Sequence, residues 1–253
     1  MHKEMQPKAQ RAVVHDSHVA RIERCTWSGQ LVSVKTAMDL PAARDALRNE
    51  EACYRAIEQR GMAPHFPRLL QGIQPEGPPS IVLSWQPGQD AFEFVTRTGL
   101  SPARKAGLLH AMAECVQRLH EIHIAHGDIK LENFVVDPSG DSLAVVLLDF
   151  GMSVALDAHA VRVPACALGT EQYNAPEKLF GDYDPFLADV YSLGMCFYAV
   201  LQGAFPDAAY SLKCGNFVDD MLAEPQRRPT AKAVLKHTQR LCTELTRKNV
   251  QCK

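Results

Sequence analysis

Three short motifs follow one another in the second half of this 253-residue chain. They read HGDIKLEN at residues 126–133, DFG at residues 149–151 and APE at residues 175–177. Any one of them alone is usually a turn or a solvated loop and says little about the fold. Together, in one order and with carboxylates at Asp128 and Asp149, they constrain the fold strongly.

The first third of the chain has the pattern of strands. Residues 19–25 and 30–36 are apolar and β-branched, and the segment between them, with Gly29, is a hairpin turn signal. Pro41 then opens a helical segment that ends at Gly61. These patterns predict a small, β-rich lobe with one helix.

A Pro-Gly turn at residues 87–88 is the predicted boundary between two lobes. Beyond it the apolar residues recur mainly at helical spacing, and residues 190–201 are apolar nearly all round, which predicts a buried helix. The predicted fold class is therefore α+β and bilobal. A small β-rich N-lobe is expected at residues 12–86 and a larger α-helical C-lobe at residues 87–253.

Composition and charge exclude several classes of protein. Hydrophobic residues make up 46% of the chain and charged residues 22%, which excludes a disordered chain. A formal net charge of −2 gives no electrostatic reason to expect a nucleic acid or an anionic membrane as partner. No apolar run approaches the ~18 residues that span a bilayer. Because the eight cysteines form no CxxC pair, reduced thiols in the cytoplasm or nucleus are expected.

The three motifs resemble the HRDxxxxN, DFG and APE motifs of the eukaryotic protein kinase family. Three further segments support the resemblance. Residues 32–35 (VSVK) are similar to the family's VAIK strand, residues 189–194 (DVYSLG) to its DVWSLG helix start, and residues 228–230 (RPT) to its late RPT segment. The resemblance covers almost the whole chain and implies a single protein kinase domain over residues 1–253.

The resemblance assigns a role to each polar residue of these motifs. Asp128 would accept the proton of the acceptor hydroxyl, and Lys130 would stabilise the charge that develops on the γ-phosphate of ATP. Asn133 and Asp149 would be the oxygen ligands of Mg²⁺. Lys35 would hold the α- and β-phosphates. The implied cofactors are therefore ATP and Mg²⁺.

A helix carboxylate is expected to pair with Lys35, and two neighbouring glutamates could supply it. At ~100° per residue the apolar stripe of the helix contains Glu50 and leaves Glu51 about 70° from its centre. Glu50 is therefore the predicted partner and a member of the ATP site. An outward, solvated position for both glutamates is the alternative.

Other residues take their roles from the resemblance alone. Residues 81–85 (IVLSW) are similar to the LVMEY segment that leads to the family's hinge, so backbone groups of Ser84, Trp85 and Gln86 would bind adenine. Two residues would be structural rather than catalytic. Asp189 would receive N–H groups of the 126–128 loop, and Arg228 would pair with Glu177.

The resemblance also favours a substrate class. His-Gly-Asp occurs in aminoglycoside and choline kinases of the same fold, but those usually have a histidine two residues after the aspartate and lack an APE segment. Here Lys130 follows Asp128, and residues 169–177 (GTEQYNAPE) look like the GTxxYxAPE of serine/threonine kinases. A protein substrate is therefore expected.

The sequence departs from the family in its glycine-rich loop. Alignment on Val19 places no glycine at the family's three glycine positions, which hold Ala12, Val14 and Ser17. Without those glycines the backbone cannot approach phosphates closely at low steric cost. The polar turn at residues 15–18 would supply side-chain donors instead or, in the simpler interpretation, is only a solvated turn.

A second departure is Gly127, which replaces the family's arginine that pairs with a phosphorylated activation-loop residue. Between Gly151 and Ala175 the Ser and Thr residues are Ser153 and Thr170, and Thr170 matches the family's structural threonine. Activity is therefore predicted not to depend on activation-loop phosphorylation.

Two segments near the C-terminus bear on partners. Residues 204–216 are too few and too rich in turn residues for the helix that receives substrates and regulators in most relatives, so docking is expected to be reduced or to rely on a regulatory partner protein. Residues 227–253 contain eight basic residues and one acidic residue. The basic outer face of a packed helix is favoured there over a nucleic-acid patch.

The leading hypothesis is a Ser/Thr protein kinase that transfers the γ-phosphate of Mg·ATP to protein hydroxyls. The alternative is a pseudokinase that acts as a scaffold or allosteric regulator with weak or no ATP turnover. The intact polar residues of the motifs favour the enzyme, and the missing glycines favour the pseudokinase.

Overall fold

The computed structural model describes residues 11–62, 64–140, 142–156, 162–166, 168–203 and 216–251. The chain divides into two compact units, Met1–Gln86 and Pro87–Lys253. The division falls at the Pro-Gly turn that the sequence singled out. The first unit is mainly β-sheet and the second mainly helical, so the predicted α+β fold class is confirmed.

The first unit is a five-stranded antiparallel sheet with one long helix. Its elements are β1 (Ala12–Asp16), β2 (Ala20–Trp27), β3 (Gln30–Ala37), α1 (Pro41–Gln59), β4 (Leu69–Gln71) and β5 (Ser80–Ser84). The strand order is β1-β2-β3-β5-β4. The β3 strand therefore lies at the centre of the sheet, and β1 lies at one edge.

Local sequence explains how β3 and α1 are placed. Ser28 and Gly29, at φ of 51° and 80°, form the two-residue turn of the β2–β3 hairpin, a conformation that favours glycine. Pro41 begins α1, and Gly61 follows its end at a φ of 64°. The helix buries one apolar stripe that includes Glu50.

Among its described residues, the second unit contains five α-helices and two small sheets. Its elements are β6 (Gln89–Asp90), α2 (Ala91–Arg97), α3 (Pro102–Glu121), β7 (Ile124–Ala125), β8 (Phe134–Asp137), β9 (Ala144–Leu147), β10 (Val154–Ala155), α4 (Pro185–Gln202), α5 (Asn216–Met221) and α6 (Ala231–Gln251). The sheets have the orders β6-β8-β9 and β10-β7.

Helix α4 is the buried helix that the apolar run at residues 190–201 predicted. The side chain of Asp184 caps it by accepting from the backbone N–H of Phe186 at 2.9 Å, and Gly203 ends it at a φ of 74°. Helix α6 packs on α3, where the Thr238 hydroxyl lies 3.1 Å from Nδ1 of His110. The packed-helix interpretation of the basic C-terminal segment is therefore supported.

Several elements were not predicted. All five residues of β1 are exposed, so it carries no burial pattern. The strands β6, β7 and β10 have two residues each, which is too short for a periodic signal. The prediction for residues 204–216 concerns a segment that, up to residue 215, lies outside the described residues.

Six cysteines of the described segments are free thiols, as the sequence predicted. They are Cys25, Cys53, Cys115, Cys166, Cys196 and Cys242. Burial raises the pKa of Cys25 and of Cys196, so these thiols stay protonated. Within the described segments, the helices are too short or too polar to cross a lipid bilayer.

Candidate active site

The first unit holds a buried ion pair. Lys35 lies on β3, and its Nζ is 2.7 Å from Oε2 of Glu50 on α1. The Lys35 side chain is 12% exposed and that of Glu50 is 2% exposed. Glu51 instead accepts from Arg55 at 2.6 Å and from the backbone N–H of Ile73 at 3.3 Å. The predicted pair with Glu50 is therefore present, and the outward placement of Glu50 is wrong.

The second unit places Asp128 in a dense hydrogen-bond environment. Its Oδ1 accepts from both the backbone N–H and the hydroxyl of Thr170, each at 2.9 Å. Its Oδ2 lies 3.0 Å from Nζ of Lys130. The Asn133 amide nitrogen donates to the backbone oxygen of Asp128 at 2.8 Å. The carboxylate is therefore held by Thr170 at Oδ1, while Oδ2 lies beside the Lys130 ammonium and 3.4 Å from the Asn133 amide nitrogen.

Lys130 contacts two members of this group. Besides Asp128, its Nζ donates to the Thr170 hydroxyl at 3.1 Å. The lysine side chain remains 24% exposed. A partly exposed ammonium next to a carboxylate can offset charge on an anionic group that approaches the carboxylate.

Asn133 and Asp149 come together at one end of the β8–β9 hairpin. The backbone N–H of Leu148, which precedes Asp149, donates to the Asn133 backbone oxygen at 2.8 Å. Asp149 has a φ of 65°, which aspartate tolerates better than most residues, and its Oδ1 accepts from Gly151 N–H at 3.3 Å. The Asn133 amide nitrogen is committed to Asp128, so its amide oxygen is the atom that can serve a cation. A carboxylate and an amide oxygen fit the hard-ligand preference of Mg²⁺.

His126 fastens the loop before Asp128, a role that the sequence did not reveal. Its Nδ1 accepts from the backbone N–H of Asp128 at 3.2 Å, and its Nε2 donates to the backbone oxygen of Leu148 at 2.9 Å. The ring packs against buried Phe150 with centroids 5.3 Å apart. One imidazole thus connects the Asp128 loop to the Asp149 segment.

Asp189 anchors the same loop from helix α4, as predicted. Its carboxylate accepts from the backbone N–H groups of His126 at 2.7 Å and Gly127 at 2.9 Å. Burial raises the pKa of Asp189, but the hydrogen bond from His120 and the charges and N–H groups around it outweigh burial and keep the pKa below its ordinary value. The anchor is therefore a carboxylate at neutral pH.

The predicted ion pair between Arg228 and Glu177 is present. The two side chains are joined by two bonds, of which Nη2 to Oε2 measures 2.9 Å. The guanidinium also donates to the backbone oxygens of Ala223 and Leu187. This bidentate pair fixes residues 175–177 against α4 and the start of α6.

A comparison with known families decides the identity of this arrangement. The model described as "Protein kinase domain" matches residues 19–211. The chain belongs to the protein kinase family. The match includes both the Lys35–Glu50 pair and the Asp128 loop.

Curated relatives of this kinase domain are distant. The serine/threonine-protein kinase SRK2B of Arabidopsis thaliana is 30% identical over 190 residues, which are 74% of this chain and 51% of the relative. The mitogen-activated protein kinase kinase SIPKK of Nicotiana tabacum is 28% identical over 196 residues, 74% of this chain and 52% of the relative. The human SNF-related serine/threonine-protein kinase is 27% identical over 252 residues, 87% of this chain and 31% of the relative. The chain therefore spans about half the length of the first two relatives and less of the third.

The three residues predicted to bind adenine lie at the end of β5. The backbone N–H of Ser84 donates to the oxygen of Arg68 at 2.9 Å, and that of Trp85 donates to the oxygen of Leu31 at 3.3 Å. The side-chain amide nitrogen of Gln86 (Nε2) donates to the Ser84 backbone oxygen at 3.1 Å. These two N–H groups are thus used within the kinase domain, and the adenine role of the segment stays a prediction.

The turn between β1 and β2 is the segment that the sequence resemblance aligns with the family's glycine-rich loop. The Ser17 hydroxyl accepts from the backbone N–H groups of Val19 at 3.3 Å and Ala20 at 3.1 Å, and it donates to the Ala20 oxygen. Asp16 pairs with Arg21 at 2.7 Å. The backbone N–H groups of Val19 and Ala20 are therefore used within the chain.

Proposed function

We propose that this protein kinase domain is a catalytically competent Ser/Thr kinase that transfers the γ-phosphate of Mg·ATP to protein hydroxyls. The observation that carries the proposal is the set of contacts around Asp128. Thr170 occupies one carboxylate oxygen, and Lys130 lies beside the other. A general base needs a carboxylate that is held in a fixed orientation, and these contacts provide one.

Each unit supplies its own part of the chemistry. In the first unit, Lys35 is oriented by Glu50 and would hold the α- and β-phosphates. In the second unit, Asn133 and Asp149 would hold Mg²⁺, which when bound neutralises phosphate charge. Asp128 would accept the proton of the substrate hydroxyl as the phosphoryl group transfers, and Lys130 would stabilise the charge on the transferred group.

The GTEQYNAPE segment supports serine and threonine as acceptors, because it looks like the GTxxYxAPE of serine/threonine kinases and its threonine contacts Asp128. Relatives named as serine/threonine-protein kinases point in the same direction. Protein substrates, a regulatory partner protein and a cytoplasmic or nuclear location remain parts of the proposal.

Phosphorylation of the activation segment, which is the stretch between Gly151 and Ala175, is not needed in this proposal. Ser153 is 5% exposed and donates to the His126 backbone oxygen at 3.2 Å, so it is poorly accessible to another kinase. The other candidate, Thr170, bonds Asp128 itself.

A second candidate function is a scaffold without ATP turnover. The observation that favours it is the β1–β2 turn, in which Ser17 uses two backbone N–H groups that a phosphate-binding loop would offer. Asp16, the last residue of β1, also places a carboxylate beside this turn, where its pair with Arg21 offsets the charge. The use of these N–H groups within the chain weakens phosphate binding.

Phosphate transfer from γ-labelled ATP with Mg²⁺ to generic protein substrates tests the proposal, with Asp128→Asn run alongside. We expect labelled phosphoserine and phosphothreonine from the wild type and a loss of label in the variant. No transfer, together with no shift of the melting temperature (Tm) by Mg·ATP, would favour the scaffold. A Tm shift without transfer would support nucleotide binding and would contradict the catalytic part of the proposal.

A further inference from the structure

Lys178 is a buried cation that the proposed chemistry does not use. It follows Glu177 in a short 3₁₀ helix, Pro176–Leu179, and is 4% exposed. No sequence pattern marked it, because a single lysine beside the APE motif resembles any surface lysine. A buried lysine is costly unless its ammonium is hydrogen-bonded, so its contacts need a reason.

The ammonium of Lys178 makes three hydrogen bonds. Nζ donates to the backbone oxygen of Gly127 at 3.0 Å, to the backbone oxygen of Leu168 at 2.8 Å and to Oδ1 of Asn174 at 2.8 Å. Three donors meet three acceptors, which is the full capacity of an ammonium group. Lys178 therefore joins three separate stretches of chain.

Two of these stretches lead directly to the Asp128 contacts. The Gly127 oxygen belongs to the peptide unit whose nitrogen is that of Asp128. Leu168 lies two residues before Thr170, which donates twice to the Asp128 carboxylate. Lys178 thus fixes the backbone on both sides of the Asp128–Thr170 contact.

The backbone around the ammonium is shaped to admit it. Gly127 has a φ of 80°, and a Cβ there would lie 2.4 Å from the Met152 backbone oxygen. Gly169 has a φ of 112°, and a Cβ there would lie 2.6 Å from Oδ1 of Asn174 and 3.1 Å from Nζ of Lys178. Both sites therefore require glycine, and residue 127 offers no side-chain cation to this region.

The surroundings of Lys178 affect the pKa of its ammonium group in two opposite directions. Burial lowers its pKa, although the negative charges of Asp189, Asp128 and Glu177 oppose this effect. Nζ of Lys178 donates to two backbone oxygens and an amide oxygen rather than to a carboxylate. Such an arrangement orients backbone more than it adds stability.

We propose that Lys178 is a positioning residue that fastens the Asp128 loop to the activation segment and so orders this segment without a phosphorylated side chain. The catalytic consequence rests on the proposed kinase function, whereas the fastening itself does not. Lys178 acts through Gly127 and Thr170 and touches no reacting atom.

The test compares Lys178→Met with the wild type and with Lys236→Met, which removes an exposed lysine from α6. Amide hydrogen exchange is measured by mass spectrometry together with kcat and KM for ATP. We expect faster exchange in residues 168–174 of Lys178→Met and unchanged exchange in helix α4. The kcat should fall on the order of 10- to 100-fold, with KM for ATP nearly unchanged, because misplacement of a catalytic group affects the chemical step.

Asn174→Ala serves as a second variant that keeps the lysine and removes one acceptor. It should show the same local exchange pattern with a smaller decrease in kcat. Unchanged exchange in residues 168–174 of Lys178→Met would overturn the proposal, as would faster exchange throughout α4, which indicates a purely structural role. If the wild type transfers no phosphate, the proposed function fails, and the exchange pattern still decides whether Lys178 fastens the two segments.

Discussion

Asp128 is the residue on which the proposed chemistry depends most. One carboxylate oxygen is fixed by two donors from Thr170, and Lys130 bridges the other oxygen and the Thr170 hydroxyl. The carboxylate therefore cannot rotate without breaking several bonds. This fixed orientation suits the proposed role of Asp128 as a general base.

Glu50 and Glu51 provide a matched pair of variants. Glu50→Gln removes the charge that orients Lys35, while Glu51→Gln changes an adjacent residue that pairs with Arg55. We expect kcat/KM for ATP to fall about 10- to 100-fold in Glu50→Gln, the value of one charge-assisted hydrogen bond. Steady-state kinetics of both variants check this. Equal effects of the two changes would contradict the assignment of Glu50.

Ser17 stands at the position that the resemblance aligns with a glycine of the family's loop, and a substitution there tests this expectation directly. Ser17→Gly removes the hydroxyl that occupies the N–H groups of Val19 and Ala20, and it removes the Cβ. We expect the affinity for Mg·ATP to rise about three- to tenfold, which is the effect of roughly one hydrogen bond.

The affinity of Ser17→Ala for Mg·ATP, measured by titration calorimetry, separates the effect of the hydroxyl from that of the Cβ. This variant removes the hydroxyl and keeps the Cβ, so an equal gain in affinity would assign the effect to the freed N–H groups. Weaker binding in both variants would show that the Ser17 turn helps the nucleotide to bind.

At the scale of elements, the proposal that activity does not need phosphorylation can be tested at Ser153. Ser153→Asp would place a carboxylate in a site that is 5% exposed and would lose the bond to the His126 oxygen. We expect a loss of about 3 kcal/mol or more in the free energy of unfolding and no activation. Ser153→Ala, which loses one hydrogen bond, should cost about 1 kcal/mol. Higher activity of Ser153→Asp, or a loss of activity after phosphatase treatment, would argue against this account.

The same scale shows what the sequence could predict. Glu50 was identified because it shares the apolar stripe of α1, and α4 because its run is apolar nearly all round. By contrast, the two-residue strands and the exposed β1 have no periodic signal. The contacts of His126 and Lys178 are made to backbone oxygens far away in sequence. Because every residue type has the same backbone oxygen, no sequence pattern marks these contacts.

At the scale of the whole molecule, buried tyrosines should limit stability at alkaline pH. Burial raises the pKa of Tyr183 from 10 to about 12, and it also raises the pKa of Tyr191. Because the folded-state pKa is the higher one, the contribution of Tyr183 to stability is complete below about pH 10 and is lost as the pH rises toward 12.

Thermal unfolding measured between pH 8 and 12 checks this expectation. The Tm should fall above about pH 10, and it should fall less steeply in Tyr183→Phe, which has no ionisable hydroxyl. A Tyr183→Phe variant with the same alkaline slope as the wild type would show that other groups cause the loss.

The central claim is that Asp128 acts as the base in phosphate transfer from Mg·ATP to a protein hydroxyl. The most direct measurement is the single-turnover rate of γ-phosphate transfer in the wild type and in Asp128→Asn, at saturating Mg·ATP. We predict transfer by the wild type and a rate that is lower by a factor of about 100 or more in the variant, with similar affinity for ATP in the two proteins. Equal rates in the two proteins, or no transfer by the wild type, would contradict the account.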